Sequence, residues 1–132
     1  MCIRDSTPAA WYLKAQRIRA AFVESVRALF ERFDLLIAPS TPCAAPPLGA
    51  TELTIGGRRL PLRPNLGLLT QPLSFAGLPV AAVPIAMGCA LPIGVQLVAA
   101  PWREDLCLRA AAALERTGVA RCLIAGRGDA QG

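Results

Sequence analysis

The clearest pattern of secondary-structure signals lies in the segment Asn65-Leu-Gly-Leu-Leu-Thr70-Gln-Pro-Leu-Ser-Phe75-Ala-Gly77-Leu-Pro79-Val-Ala-Ala-Val-Pro84. Asn65 is a residue type that caps helices, and it predicts a short helix running towards Leu69. Thr70 in the same way predicts the start of a second helical turn, which Gly77 ends because glycine readily adopts the left-handed conformation found after helices. The apolar residues that follow predict a strand over Val80 to Ala86. Short helices therefore lead directly into a buried strand.

The segment downstream continues the alternation of strand and helix. A second apolar run predicts a strand over Ile93 to Ala99. The last helix is predicted to open with Glu104 and Asp105, since acidic residues favour the positive end of a helix, and to close before Gly118.

The segment upstream begins with a long amphipathic helix. Thr7 and Pro8 fit a helix cap and a first helical position, and apolar residues then recur in steps of three and four from Trp11 to Phe33. The unbroken apolar run Leu35 to Ala38 predicts a strand buried on both faces.

Proline and glycine dominate the stretch from residue 39 to residue 64, which is predicted to be largely irregular. Inside it, two short segments flank Gly56-Gly57 and predict a β-hairpin, because two adjacent glycines suit a two-residue turn. The whole order of elements predicts an α/β fold with helices covering an apolar sheet. Three two-sided apolar strands also imply further strands that this chain does not encode.

Composition points to a protein whose surface is partly covered by something else. Hydrophobic residues make up 54% of the 132 residues and charged residues 17%, against roughly 25% charged residues in an average soluble domain. Prolines and glycines interrupt every apolar run before it reaches the ~20 residues of a membrane-spanning helix. The N-terminus lacks a signal-peptide pattern. We therefore expect a cytoplasmic protein without a membrane partner.

Charge and reactive residues exclude several function classes. The net charge is +5, but the arginines are scattered and not interleaved with aromatic residues, so no nucleic-acid partner is expected. The chain has no histidine, which excludes the Ser-His-Asp and Cys-His catalytic arrangements within it. Its five cysteines form no Cys-x-x-Cys pair, so neither a metal site nor a disulfide framework is predicted, and Cys89 and Cys107 are interpreted as buried apolar filler. No cofactor is predicted.

Three blocks together resemble the C-terminal portion of amidase-signature enzymes. They are the segment from Asn65 to Pro84, its continuation Leu91-Pro-Ile-Gly94-Val-Gln96-Leu-Val-Ala-Ala-Pro-Trp102-Arg-Glu-Asp105-Leu, and the long helix followed by Asp34-Leu-Leu-Ile-Ala-Pro39-Ser-Thr-Pro42. The resemblance covers roughly residues 7–118 and is nearest to the branch similar to 1-carboxybiuret hydrolase. The A subunit of the aminoacyl-tRNA amidotransferases represents a related branch with the same fold.

The resemblance implies an incomplete part of an α/β/α sandwich with a mixed sheet. Residues 7–120 are then the C-terminal part of an amidase-signature domain, residues 1–6 are interpreted as a spurious leader and residues 121–132 as a flexible tail. The family hydrolyses carbon–nitrogen amide bonds with a serine nucleophile, a second serine across a cis peptide and a lysine base. None of the isolated serines here has the Gly-Ser-rich context of that site, and Lys14 lies on the amphipathic helix. No catalytic residue is carried over, and the chain alone is predicted to be inactive.

The resemblance does imply residues that line a substrate pocket, namely Asn65, Thr70, Gln71 and Ser74. An equally open interpretation is that Asn65 and Thr70 only cap helices and that Ser74 faces a neighbouring strand. Gly67 stands where the amidotransferase branch has an acid that helps to hold the amino group of glutamine, so glutamine is not expected as an ammonia source.

The expected partners are the missing N-terminal part of the same enzyme and a small amide substrate, and a small companion subunit is a further candidate. The alternative function is that of a stand-alone, non-catalytic protein that uses the same apolar faces to bind a partner. In either case we expect the isolated chain to be poorly soluble or partly molten, because its strands lack neighbours.

Overall fold

A computed structural model describes residues 8–85 and 91–121. These residues form four helices and five strands. The helices are α1 (Ala9–Leu29), α2 (Leu62–Leu66), α3 (Gln71–Ala76) and α4 (Glu104–Arg116). The strands are β1 (Leu35–Pro39), β2 (Glu52–Ile55), β3 (Arg58–Pro61), β4 (Val80–Ile85) and β5 (Ile93–Ala99).

The central sheet has the strand order β1-β5-β4, and both pairs are antiparallel. Strand β5 lies in the middle, where Leu97 stands opposite Ile37 on one side and Ala81 on the other. Its apolar run is buried from Gln96 to Ala99, because neighbours cover both its edges and both its faces. The central position explains why this strand reads as almost continuously apolar.

Helices cover the two faces of the sheet and make three layers. On one face, Val98 packs with Val26 of α1 and with Ala76 and Leu78 at the end of α3. On the other face, Leu97 and Val83 pack with Ala120 and with residues of α4. The α/β/α sandwich expected from the resemblance is thereby confirmed for this part of the fold.

Helix α1 is shorter than predicted. It ends at Leu29, and the chain continues to Phe33 in turns in which, for example, the amide of Arg32 donates to the carbonyl of Leu29. Such i→i+3 bonds commonly tighten the last turn of a helix. Pro8 occupies the cap position at the other end, and Thr7 lies outside the described residues.

The predicted hairpin is present as β2 and β3. Gly56 and Gly57 have φ values of 55° and 78°, which is the left-handed pair that a type I′ turn requires. Leu53 is buried beneath the hairpin, and the amide of Leu62 donates to the carbonyl of Thr51, so α2 begins directly against β2.

Two predictions about local environment were wrong. Asn65 does not cap a helix that runs towards Leu69; it lies inside α2, and its side-chain amide donates to the carbonyl of Pro61 at 2.8 Å. Proline at position 61 already fixes the backbone at the start of this helix. Strand β1 is not buried on both faces, because it forms an edge of the described sheet and Ile37 remains 66% exposed.

Two further predictions are confirmed, and others concern residues outside the described ranges. Gly77 ends α3 with φ 71°, as expected, and Cys107 is buried, as expected. Cys89, the interpreted leader and residues 122–132 of the interpreted tail lie outside the described residues. Within residues 8–85 and 91–121, no helix is long and apolar enough to cross a membrane, and no group of side chains has the composition of a metal site.

Candidate functional site

A shallow cleft of about 730 Å³ lies between the exposed side of α1 and the short helix α3. Helix α1 contributes Ile18 and Phe22, one turn apart on the same face. The other wall is the start and outer face of α3, lined by Thr70, Gln71, Pro72, Ser74 and Phe75. The cleft therefore joins an apolar wall to a wall that carries two hydroxyls and an amide.

Three of the four residues predicted to line a pocket meet in this cleft. Thr70, Gln71 and Ser74 share the wall formed by α3 because they occupy its cap position, its first position and its fourth position. Asn65 is not among the lining residues, since its side chain is turned back onto Pro61 within α2.

Thr70 does not cap α3 with its side chain. Its hydroxyl lies 3.3 Å from the carbonyl oxygen of Gly67, to which it donates, and the amide of Gln71 donates to the same carbonyl at 2.9 Å. The carbonyl of Gly67 thus accepts two hydrogen bonds within the turn that leads into α3. This arrangement corrects the interpretation of Thr70 as a side-chain cap, although α3 does begin where that interpretation placed it.

Gly67 also determines where the side chain of Gln71 can lie. A Cβ atom at position 67 would come within 2.8 Å of Nε2 and 3.1 Å of Cγ of Gln71. Gln71 therefore fills the space that any side chain at position 67 would need. Position 67 is thus a glycine covered by the neutral side-chain amide of Gln71.

Gln96 supports the site from the central strand, a role that was not predicted from the sequence. It is 3% exposed, and its side-chain amide donates to the carbonyl of Pro39 at 2.9 Å and to the carbonyl of Leu69 at 3.2 Å. Leu69 directly precedes Thr70, so the central strand anchors the cleft wall. The available indication was a lone polar side chain within an apolar strand, because buried polar groups are almost always hydrogen-bonded.

Arg19 connects α1 to the far end of α3. Its Nε donates to the carbonyl oxygen of Phe75 at 2.6 Å, and its guanidinium carbon lies 5.7 Å from the centre of the Phe75 ring. A cation is favourable at the negative end of a helix and over an aromatic ring. Through these two contacts with Phe75, Arg19 fixes the separation of the two walls of the cleft.

The cleft can bind a ligand but offers little chemistry by itself. Among the described residues that line it, none carries a charge, and the two hydroxyls have no neighbouring base. Lys14 is exposed on α1 and is not a lining residue. The arrangement suits contact with a neutral polar group on one side and an apolar group on the other.

Comparisons with known proteins give a consistent result. The protein-family profile described as Amidase matches residues 3–108. The AtzE subunit of 1-carboxybiuret hydrolase from Pseudomonas sp. (strain ADP) is 55% identical over 116 residues, which are 86% of this chain and 25% of that protein. A fatty acid amide hydrolase of Medicago truncatula is 32% identical over 117 residues, which are 88% of this chain and 19% of that protein.

The fold agrees with that of a solved relative. A structure described as a vestigial protein complex that reveals the evolutionary origins of an s-triazine catabolic enzyme superposes with a TM-score of 0.84 at 52% identity. The superposition covers 90% of this chain and 26% of the other. The chain thus spans between about a fifth and a quarter of the length of these relatives.

Proposed function

Since this chain belongs to the amidase family, we propose that it forms the C-terminal part of an enzyme that hydrolyses carbon–nitrogen amide bonds. In this proposal the cleft between α1 and α3 borders the bound substrate. The observation that carries the proposal is the meeting of Thr70, Gln71 and Ser74 on one wall of that cleft.

The chemistry is divided between this chain and the rest of the enzyme. The serine nucleophile, the second serine and the lysine base come from outside the chain, where a buried lysine held neutral relays the proton of the attacking serine. The position of Lys14, exposed on α1 and outside the cleft, supports this division. The chain alone is then inactive and contributes to substrate binding.

The substrate is a small amide whose part facing this wall is uncharged. Gln71 and Ser74 offer hydrogen bonds to an amide group, and Ile18, Phe22 and Phe75 offer apolar contact. The side chain of Gln71 over Gly67 argues against the binding of a free amino group there, since no carboxylate faces it. We place the reaction in the cytoplasm.

The test is a hybrid enzyme in which this chain replaces the matched quarter of the Pseudomonas 1-carboxybiuret hydrolase subunit. We expect the hybrid to release ammonia from a small amide. Gln71→Ala and Ser74→Ala should each lower kcat/KM by about tenfold, as expected for the loss of one positioned polar contact. Ser25→Ala is the matched control, because Ser25 lies on α1 outside the cleft and its hydroxyl only donates to the carbonyl of Ala21. A folded hybrid without amidase activity would refute the proposal.

The second candidate is a stand-alone protein that binds a partner without catalysis. The first turns of α1 favour it, because Trp11, Tyr12 and Leu13 are 71%, 61% and 57% exposed on consecutive positions. Translation of the nucleotides upstream of the Thr7 codon separates the two candidates. An in-frame catalytic lysine and Gly-Ser-rich segment would support the amidase, and a stop codon with a promoter would support the binding protein.

A further inference from the structure

A second cavity, of about 470 Å³, lies next to the cleft at the end of α3. Helix α1 contributes Arg19 and Arg27 to it, and α4 contributes its first residue, Glu104. Two short segments complete the lining, residues 76–79 at the end of α3 and residues 101–102 before α4. The cavity shares no lining residue with the cleft, so it is a separate candidate site.

The second cavity combines two guanidinium groups with one carboxyl group. The Nη2 atom of Arg19 lies 3.7 Å from the place that a Cβ atom would take at Gly77, on the cavity wall. The bond of Arg19 to the carbonyl of Phe75 uses Nε instead. Arg27 contacts Glu24 at 3.8 Å, and because both side chains are more than half exposed, this ion pair contributes little to stability. Donors of both guanidinium groups can therefore turn towards an anion in the cavity.

Trp102 lines the same cavity in a strained backbone conformation. Its φ is 66°, and among the described residues other than glycine it is the one with a positive φ. The left-handed region is unfavourable for a residue with a bulky side chain. Trp102 is also 89% exposed, so packing against the described residues does not compensate for the strain. Strained residues cluster at binding sites, and an indole ring offers a flat apolar surface to a ligand.

We propose that the second cavity binds a small aromatic carboxylate. The carboxylate of the ligand accepts hydrogen bonds from Arg19 and Arg27, because the planar fork of a guanidinium group matches the two oxygens of a carboxylate. The ring of the ligand contacts the indole of Trp102. The ligand is bound and not converted, since none of the described lining residues carries a hydroxyl, thiol or amine that could attack it.

The test measures the binding of benzoate to the hybrid enzyme by isothermal titration calorimetry. We expect a dissociation constant of about 1 mM or below. Arg27→Gln should weaken binding about tenfold, because charge-assisted hydrogen bonds are lost. Arg17→Gln is the matched control, since it removes the same charge from α1 outside both cavities, and it should change the affinity less than about twofold. Glu104→Gln should strengthen binding about threefold, because it removes a like charge from the cavity.

Trp102→Gly tests the role of the ring. It should weaken benzoate binding about threefold to tenfold, and it should not lower the melting temperature of the hybrid, because glycine adopts the left-handed conformation without strain. A lower melting temperature would show that another part of the enzyme buries the ring, and this would overturn the proposal.

Equal weakening by Arg27→Gln and Arg17→Gln, or weaker binding by Glu104→Gln, would also overturn it, as would a benzoate affinity that none of the cavity variants changes. Binding is measured without turnover. An inactive hybrid that binds benzoate through Arg27 therefore keeps the second site and rejects the proposed function, whereas an active hybrid that does not bind benzoate does the reverse.

Discussion

The side-chain nitrogen of Gln96 lies 3.2 Å from the carbonyl oxygen of Leu69, and this bond ties the central strand to the loop that enters the cleft. The same nitrogen donates to Pro39 at the end of β1. One buried amide thus fixes two chain segments that are distant in sequence. The position of Thr70, next to Leu69, follows from this anchor.

Replacing Gln96 by leucine should destabilise the chain by about 1–3 kcal/mol, because two hydrogen bonds are lost and carbonyl groups remain near apolar surface. Urea denaturation measures the change. Gln71→Leu is the control, since Gln71 is exposed, and it should stay within about 0.5 kcal/mol of the wild type. Equal effects of the two substitutions would show that the anchor contributes nothing.

Arg19→Ala should lower the free energy of unfolding by about 1–2 kcal/mol, because it removes the bond to the Phe75 carbonyl and the contact with the Phe75 ring. Arg19→Lys should recover only part of the loss, since a lysine keeps the charge but not the planar donor. Arg17→Ala, on the exposed side of the same helix, serves as the control in thermal unfolding. Full recovery with lysine would assign the effect to charge alone.

Gly67→Ala should alter substrate binding in the cleft more than the stability of the fold. The backbone at position 67 has φ −88°, which alanine adopts without strain, but the new methyl group must displace the side chain of Gln71. We expect a shifted Gln71 side-chain amide signal by NMR, and a KM of the hybrid enzyme raised about threefold to tenfold. In the Gln71→Ala background the same substitution should have no further effect on KM. An additive effect would mean that Gly67 acts through another residue.

Burial raises the pKa of the Cys107 thiol above its ordinary value of 9.0. The folded state therefore favours the neutral thiol, and this contribution to stability is complete below the unfolded pKa and is lost as pH rises through the folded pKa. The stability difference between wild type and Cys107→Ala should therefore shrink as pH rises above the ordinary pKa of a thiol.

Cys43 is less buried than Cys107 and serves as the comparison for access by a reagent. In native protein, Cys107 should also react with a thiol reagent more slowly than Cys43, since only a thiolate that the reagent can reach is alkylated. Comparable labelling rates would contradict the burial argument.

Local features of the fold followed from the sequence because nearby residues determine them. The bounds of β5, the glycine turn between β2 and β3, the end of α3 at Gly77 and the acidic start of α4 depend on periodicity and on backbone preferences within a few residues. The family resemblance added the three-layer arrangement, and three of the four predicted cleft residues meet in one cleft.

The residues alone were therefore enough to predict most of the helices and strands and the family they resemble, although the short helix around Asn65 was misplaced. The tertiary structure was needed to show that β5 lies between β1 and β4 and that Ile18 and Phe22 form the second wall of the cleft. It was also needed to show that the side chain of Gln96 donates to Pro39 and Leu69, which lie 57 and 27 positions earlier in the chain. These relationships arise from packing between distant segments, and no local pattern of residues encodes such distances.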